Sequence, residues 1–213
     1  MTETSPVGSL CRLKAQMEDW PVEDRLRVRI KQGLPVANLE MRIRNEQGED
    51  LLRDGKEAGE LEVRGPWVAR AYYGNSAAEP AFTEDGWFRT GDIATLDAEG
   101  YMEITDRKKD VIKSRGEWIS SVEMENAVLS HPAILEAAVV GRPDALRGEA
   151  PVLYAVLRDP QQSVAPQELI EVLRSRFASW QLPRLSDVHF VASLPKTSVG
   201  KLDKKTLRAG GKE

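Results

Sequence analysis

One cysteine, Cys11, and two histidines, His131 and His189, are all that 213 residues supply of the commonest soft metal and redox ligands. A lone thiol excludes an internal disulfide, and the two histidines fall into no zinc-binding spacing, so no structural metal is expected. Long apolar runs are missing too. Nothing approaches the roughly 18 residues of a membrane span, and the N-terminus has no basic segment followed by an apolar one. These absences argue against a spanning helix and a signal peptide and make the cytoplasm the expected compartment.

Hydrophobic residues make up 41% of the chain, too many for a disordered segment and enough for one or two domains with cores of their own. The formal net charge of -4 conceals an asymmetry. Residues 1–106 carry 13 Lys and Arg against 21 Asp and Glu, whereas residues 107–213 carry 17 against 13. The second half is therefore the one suited to anions, although two solvated surfaces of different sign would give the same count. A nucleic-acid binder is disfavoured by the acidic balance and by lysines interleaved with few aromatics.

The hydrophobic patterning changes along the chain. In "NLEMRIRNEQGED" Leu39, Met41 and Ile43 alternate with charged residues before a glycine turn, "GELEVRG" alternates again, and "DAEG" reads as the turn of a hairpin whose second arm is Tyr101–Thr105. Beyond Arg107, helices alternate with strands. "SSVEMENAVLSHP" has Ser120 or Ser121 as N-cap and Met124, Ala127 and Val128 on one face; "PQELIEVLRSRFASW" is a second helix; "ILEAAVVG", "PVLYAVL" and "DVHFVA" are strands. The fold class expected is α+β. An antiparallel, β-rich, barrel-like half (residues 1–105) precedes a small α+β domain with a central antiparallel sheet (111–213). The charged stretch 106–110 joins them.

Four segments, "MTETSP", "GWFRTGD", "DRKKDVIKSRGEWIS" and "LPKTSVGK", follow one another in the order and spacing of the late motifs of adenylate-forming enzymes. The chain thus resembles the C-terminal portion of an acyl-CoA synthetase, luciferase or adenylation domain, and "GEWISS" and "PKTSVGK" look most like a medium- or long-chain fatty-acid–CoA ligase. The resemblance implies ATP, Mg²⁺ and CoA as ligands of the complete enzyme and fatty acid as substrate; a possible homodimer is expected instead from apolar residues near the N-terminus that lack an assured partner. The 213 residues contain no Ser/Thr/Gly-rich phosphate loop with a lysine. A C-terminal fragment, inactive alone and carrying no bound cofactor, is therefore expected.

The resemblance also implies roles. Lys201 would bridge the substrate carboxylate and the α-phosphate, where one ammonium neutralises two anions, and Gly200 would let that loop approach the nucleotide. Asp92 would accept the two ribose hydroxyls, or else be a turn aspartate. Arg107 would contact the same hydroxyls, or else pair with Asp106 or Asp110. Thr2 and Glu3 correspond to a hydroxyl on the α-phosphate and a carboxylate on Mg²⁺. Asp106 or Lys109 would be the pivot of a domain rotation that replaces the Lys201 loop with the "SRGEW" segment, so that Lys113, Gly116 and Trp118 serve the thioester step. Trp118 could equally anchor the lid core. Arg142, Arg147 and Arg184 are candidate CoA phosphate contacts, and Lys204, Lys205 and Lys212 read as solvated.

Two alternatives stay open: an adenylating enzyme with another acceptor, such as a carrier protein or molecular oxygen, and a non-catalytic fragment or regulatory module. Leu10, Leu13, Met17, Trp20 and Leu26 have no assured partner. Residues 1–33 are accordingly expected to be poorly packed or buried against a second copy.

Overall fold

The structure, a computed structural model, describes residues 1–73 and 81–210. Lys212 lies outside the described residues. The chain divides into two compact units, Met1–Lys108 and Lys109–Glu213.

In the first unit the alternating segments become strands of one antiparallel sheet: β3 (Glu40–Arg44), β4 (Ala58–Arg64), β5 (Phe88–Leu96) and β6 (Met102–Arg107), in that order. Short β1 (Ser9–Leu10) and β2 (Leu34–Pro35) pair separately. Leu39, Met41, Ile43, Leu61, Val63, Phe88, Ala94, Leu96 and Met102 form its core. The "DAEG" turn closes β5 onto β6: Gly100 N–H donates to Asp97 O at 2.8 Å, and the Asp97 carboxylate takes the N–H of Tyr101 at 2.9 Å. Among the described residues the sheet is open, so its barrel-like character stops short of closure. The alternate positions carry charge instead of apolar surface. Arg42 lies 2.7 Å from the buried carboxylate of Glu62 and stacks over Trp87. The stretch expected to be a linker is partly strand, because β6 continues through Asp106 and Arg107.

The N-terminal stretch is more ordered than its sequence suggests. It contains a helix, α1 (Val22–Arg29), which apolar periodicity misses because Val22 and Leu26 are exposed and Val28 alone is buried. Its ends are nevertheless marked, by Glu23 and Asp24 in the first turn and Arg27 and Arg29 in the last, which suit the helix dipole. Met17 and Val28 pack on Tyr101, with Cys11, Leu13 and Leu34 around them. Leu10, Trp20 and Leu26 are exposed on this chain, as either expected alternative allows, whereas Met17 is buried and Leu13 packs beside it within the same chain.

The second unit is built on a long antiparallel hairpin, β9 (Ile134–Asp144) with β10 (Gly148–Leu157). β7 (Ile112–Ser114) and β8 (Glu117–Ile119) form a second hairpin whose β7 meets β10. β11 (Val188–Phe190) pairs parallel to β10, the one parallel junction described, because helix α3 (Pro166–Arg174) supplies a crossover. Ser120 caps α2 (Ser121–Leu129), accepting from Glu123 N–H at 3.1 Å. One sheet face packs on α2 and α3 through Met124, Val128, Val139, Leu153, Leu169 and Leu173. The other packs through Val140, Val152 and Val156 on Leu194 and Leu207 of the tail, which ends in α4 (Lys204–Arg208). α3 is shorter than its periodicity suggests, ending at Arg174, and Phe177 is buried from the following turn.

Candidate functional site

Asp92 and Arg107, fifteen positions apart in sequence, meet because the β5–β6 register sets them opposite each other. Arg107 Nη1 lies 2.9 Å from Asp92 Oδ1. Arg107 thus pairs with Asp92 rather than with Asp106 or Asp110. Asp92 is buried at 6% exposure, whereas most of the Arg107 side chain faces solvent. Burial pushes the Asp92 pKa above the usual range and the Arg107 guanidinium opposes it. The local chain supports this placement. Gly91 sits at φ +71°, which glycine adopts without strain, and Asp92 N–H donates to the Thr90 hydroxyl at 3.1 Å. The outcome is a partly desolvated carboxylate with an arginine beside it, on the wall of a cavity of about 330 Å³ lined also by Thr4, Met41, Leu61, Val63, Thr90 and Met102.

Thr2 and Glu3 lie in a short 3₁₀ turn, Thr2–Thr4. The Glu3 carboxylate accepts from the Tyr72 hydroxyl at 2.8 Å, and its own backbone N–H together with Tyr72 holds its pKa below the usual range. Tyr72 was not legible as part of a site. Thr2 is exposed. Of the two pivot candidates, Asp106 is buried in β6 and caps Arg107 N–H at 2.7 Å, whereas Lys109 is exposed at the boundary between the units.

In the second unit Lys201 stands on a tight turn. Thr197 N–H donates to Lys201 O at 2.7 Å, Gly200 N–H to Thr197 O at 2.8 Å, and Lys196 bridges to Leu202. Gly200 takes φ +79° with open space where a Cβ would stand. The Lys201 side chain is exposed and, among the described residues, forms no ion pair. The tail is fixed on its C-terminal side. Asp203 caps α4, Lys204 Nζ reaches Ser121 Oγ and Glu125 Oε1 at 2.7 Å each, and Arg208 pairs with Asp110. Lys204 is therefore a half-buried anchor and not the solvated lysine its sequence context suggests, while Lys205 is exposed as expected.

The third group is the β7–β8 hairpin. Its turn is Arg115 at φ 53° and Gly116 at φ +82°, a two-residue loop with both angles positive, and Lys113 faces Trp118 across the ladder. Gly116 is exposed with no atom within 4 Å of a would-be Cβ, and Lys113 N–H donates to Glu149 at 2.8 Å. Trp118 is half-buried. The arginines suggested for CoA phosphates are already engaged: Arg184 with Asp144 at 2.6 Å, Arg147 with Leu182 O at 3.1 Å, and Arg142 with Tyr154 and Leu207 O.

Comparison with known proteins points to one family. Residues 1–73 match the AMP-binding enzyme family and residues 123–201 the AMP-binding enzyme C-terminal domain. The chain is 46% identical over 211 residues to a long-chain-fatty-acid–CoA ligase of Thermus thermophilus, covering 98% of this chain and 38% of that protein. It is 43% identical to a 3-methylmercaptopropionyl-CoA ligase of Ruegeria lacuscaerulensis over 98% of this chain and 38% of that one. Among solved structures, o-succinylbenzoate CoA synthetase of Bacillus subtilis in complex with its acyl-adenylate intermediate superposes with a TM-score of 0.76 at 33% identity, covering all of this chain and 40% of that one. The chain spans less than two fifths of the length of the curated relatives it matches.

Proposed function

The chain belongs to the AMP-binding enzymes, the adenylate-forming family, and on that premise we propose that it is the nucleotide-closing and acceptor-switching part of a fatty acyl-CoA synthetase. In such an enzyme a fatty carboxylate oxygen attacks the α-phosphorus of ATP, expelling pyrophosphate and leaving an acyl adenylate. The CoA thiolate then attacks the acyl carbon, and AMP departs with the electron pair of the broken bond. Both barriers carry charge on oxygen, so preorganised donors and cations are the principal source of rate.

The observation that carries this reading is the register-imposed pair of buried Asp92 and exposed Arg107 beside a cavity. A carboxylate with two oxygens suits two vicinal hydroxyls, and an arginine at its shoulder opposes the effect of burial on its charge while donating to the same sugar. Lys201, on an exposed turn held by Lys204 and Arg208, is suited to neutralise the reacting carboxylate and phosphate together. Lys109 is the better pivot, since Asp106 is locked in a strand. After rotation the glycine tip of the Arg115–Gly116 turn would line the passage of the thiol, with Lys113 and Trp118 flanking it.

Glu3 fits a Mg²⁺ role: its lowered pKa keeps the carboxylate charged, and one oxygen ligand suffices for an ion that retains waters and takes the rest of its shell from phosphates. When bound, Mg²⁺ would neutralise triphosphate charge. Thr2 is the hydroxyl offered to the α-phosphate.

Fatty acid rather than another carboxylate is favoured by the similarity to the Thermus ligase. Because these 213 residues contain no phosphate-gripping loop, the chain by itself is inactive in this reading. The test mixes fatty acid, ATP and CoA with the 213-residue chain and, separately, with a longer chain that adds such a loop. AMP release from the second alone is expected; robust turnover by the first sinks the proposal.

A further inference from the structure

We infer that the second unit carries a separate binding site for a ring-bearing anion, between the β9–β10 hairpin and the tail. The cavity there measures about 630 Å³, within the range of small-molecule sites. Arg142, Tyr154, His189, Phe190, Pro195 and Thr206 line it, and among the described residues no carboxylate does.

Arg142 is the recognition element. Its Nη2 donates to the Tyr154 hydroxyl and to Leu207 O, and the guanidinium lies over the Tyr154 ring at 5.8 Å. These contacts fix the plane of the group. Its Nε is buried and has no acceptor among the described residues. A guanidinium donor left without an acceptor is unfavourable, and an anionic occupant of the cavity would give the charged group a partner on its accessible side. The walls select for a flat partner. His189 lies against Tyr154 with ring centroids 5.2 Å apart and planes 30° apart, and Phe190 is also in the lining. An aromatic or heteroaromatic ring stacked there would bring a carboxylate or phosphate substituent to Arg142.

The site shares no residue with the Arg115–Gly116 turn or with the Asp92 pair, so it is additional to the proposed chemistry. It does adjoin the segment that presents Lys201. Pro195 and Thr206 stand on either side of that turn and both line the cavity.

The experiment titrates the isotope-labelled 213-residue chain with benzoate, with AMP and with inorganic phosphate, and follows the Arg142 Nε–H and His189 ring resonances. Saturable shifts at both residues with benzoate or AMP are expected, with inorganic phosphate at least about tenfold weaker because it cannot stack. AMP bound instead at Asp92 and Arg107 reports at those residues, so failure of this site and failure of the nucleotide site are read separately. Arg142→Met should weaken the ring-bearing anion at least about tenfold, and His189→Ala should weaken it while leaving Arg142 in place. Shifts that persist in Arg142→Met, phosphate binding as tight as the ring-bearing anions, or no saturable shift with benzoate or AMP would each overturn the site.

Discussion

Lys204 Nζ stands 2.7 Å from Glu125 Oε1, with the side chains 11% and 13% exposed. The pair joins the tail that presents Lys201 to α2, which follows directly on the β7–β8 hairpin. Glu125 also accepts Val139 N–H at 2.8 Å, so one carboxylate links helix, sheet and tail. Removing one partner of a largely buried pair takes away the countercharge that offsets the desolvation of the other. Lys204→Met is expected to cost about 3 kcal/mol in the unfolding free energy of residues 109–213. Lys205→Met, one position away and exposed, should cost less than about 0.5 kcal/mol. Urea unfolding of the two variants measures the contrast, and equal costs would contradict the anchor.

Asp92 gives the chain a pH signature with a definite sign. Burial raises its pKa, so the folded chain holds that proton at pH values where the unfolded chain has released it. The group therefore favours the folded state fully at low pH, and that benefit is lost as pH rises through the raised folded value. Asp92→Asn removes the charge that burial disfavours. The variant is expected to be at least as stable as the parent near pH 7, with its relative advantage shrinking below about pH 4, where free aspartate is protonated. Urea midpoints of both proteins at the two pH values decide it; an advantage that grows on acidification goes against the assignment. AMP affinity should fall in the same variant.

The strand half was legible because alternation writes burial directly into sequence: Leu39, Met41 and Ile43 face the core as their spacing requires. The Asp92–Arg107 meeting was not legible from spacing, since a bulge between Ile93 and Ala94 shifts the register that pairs them. Resemblance supplied both residues, and the hairpin explains their contact. Lys204 was misread for a different reason. Its neighbours Lys201 and Lys205 are exposed, and a long cation's fate depends on whether a carboxylate from a distant helix reaches it, which no local pattern records. Arg142 and Tyr154, on the two strands of one hairpin and twelve residues apart, were invisible as a pair for the same reason.

The two tips of the second unit should separate the two half-reactions in a ligation-competent longer chain. Lys201→Ala removes one exposed, preorganised cation and is expected to depress adenylate formation on the order of 10² to 10³-fold. Thioester formation from supplied acyl adenylate should change far less. Gly116→Leu should do the reverse by filling the space now open above that glycine. Equal loss in both half-reactions for both variants would contradict alternating use of the tips.

Gly116 also makes a prediction about stability that needs no substrate. Its positive φ, following that of Arg115, is the obstacle to a side chain, because among the described residues beyond its chain neighbours nothing lies within 4 Å of a would-be Cβ. Gly116→Ala is therefore expected to cost about 1 kcal/mol from backbone strain alone, and Gly116→Asn noticeably less, because asparagine tolerates the left-handed region. Thermal unfolding of the two variants tests the difference. A cost for Asn equal to or above that for Ala would mean that the turn is not held in the left-handed conformation.

Met17 and Leu26 divide the N-terminal stretch into a packed and an unpacked side. Met17 is 1% exposed against Val28 and Tyr101, whose hydroxyl donates to Arg12 O at 2.6 Å, whereas Leu26 is 53% exposed on α1. Shortening a buried methionine loses transfer free energy and leaves a cavity, so Met17→Ala is expected to destabilise residues 1–108 by about 2 kcal/mol or more. Leu26→Ala removes a side chain that already faces water and replaces it with a better helix former, so its effect should stay within about 0.5 kcal/mol. The measurement is urea unfolding followed by hydrogen exchange at the amides of Met17 and Val28. If Leu26→Ala proves as costly as Met17→Ala in a monomeric sample, the exposed side of α1 is covered in solution and the packing described for this stretch is incomplete.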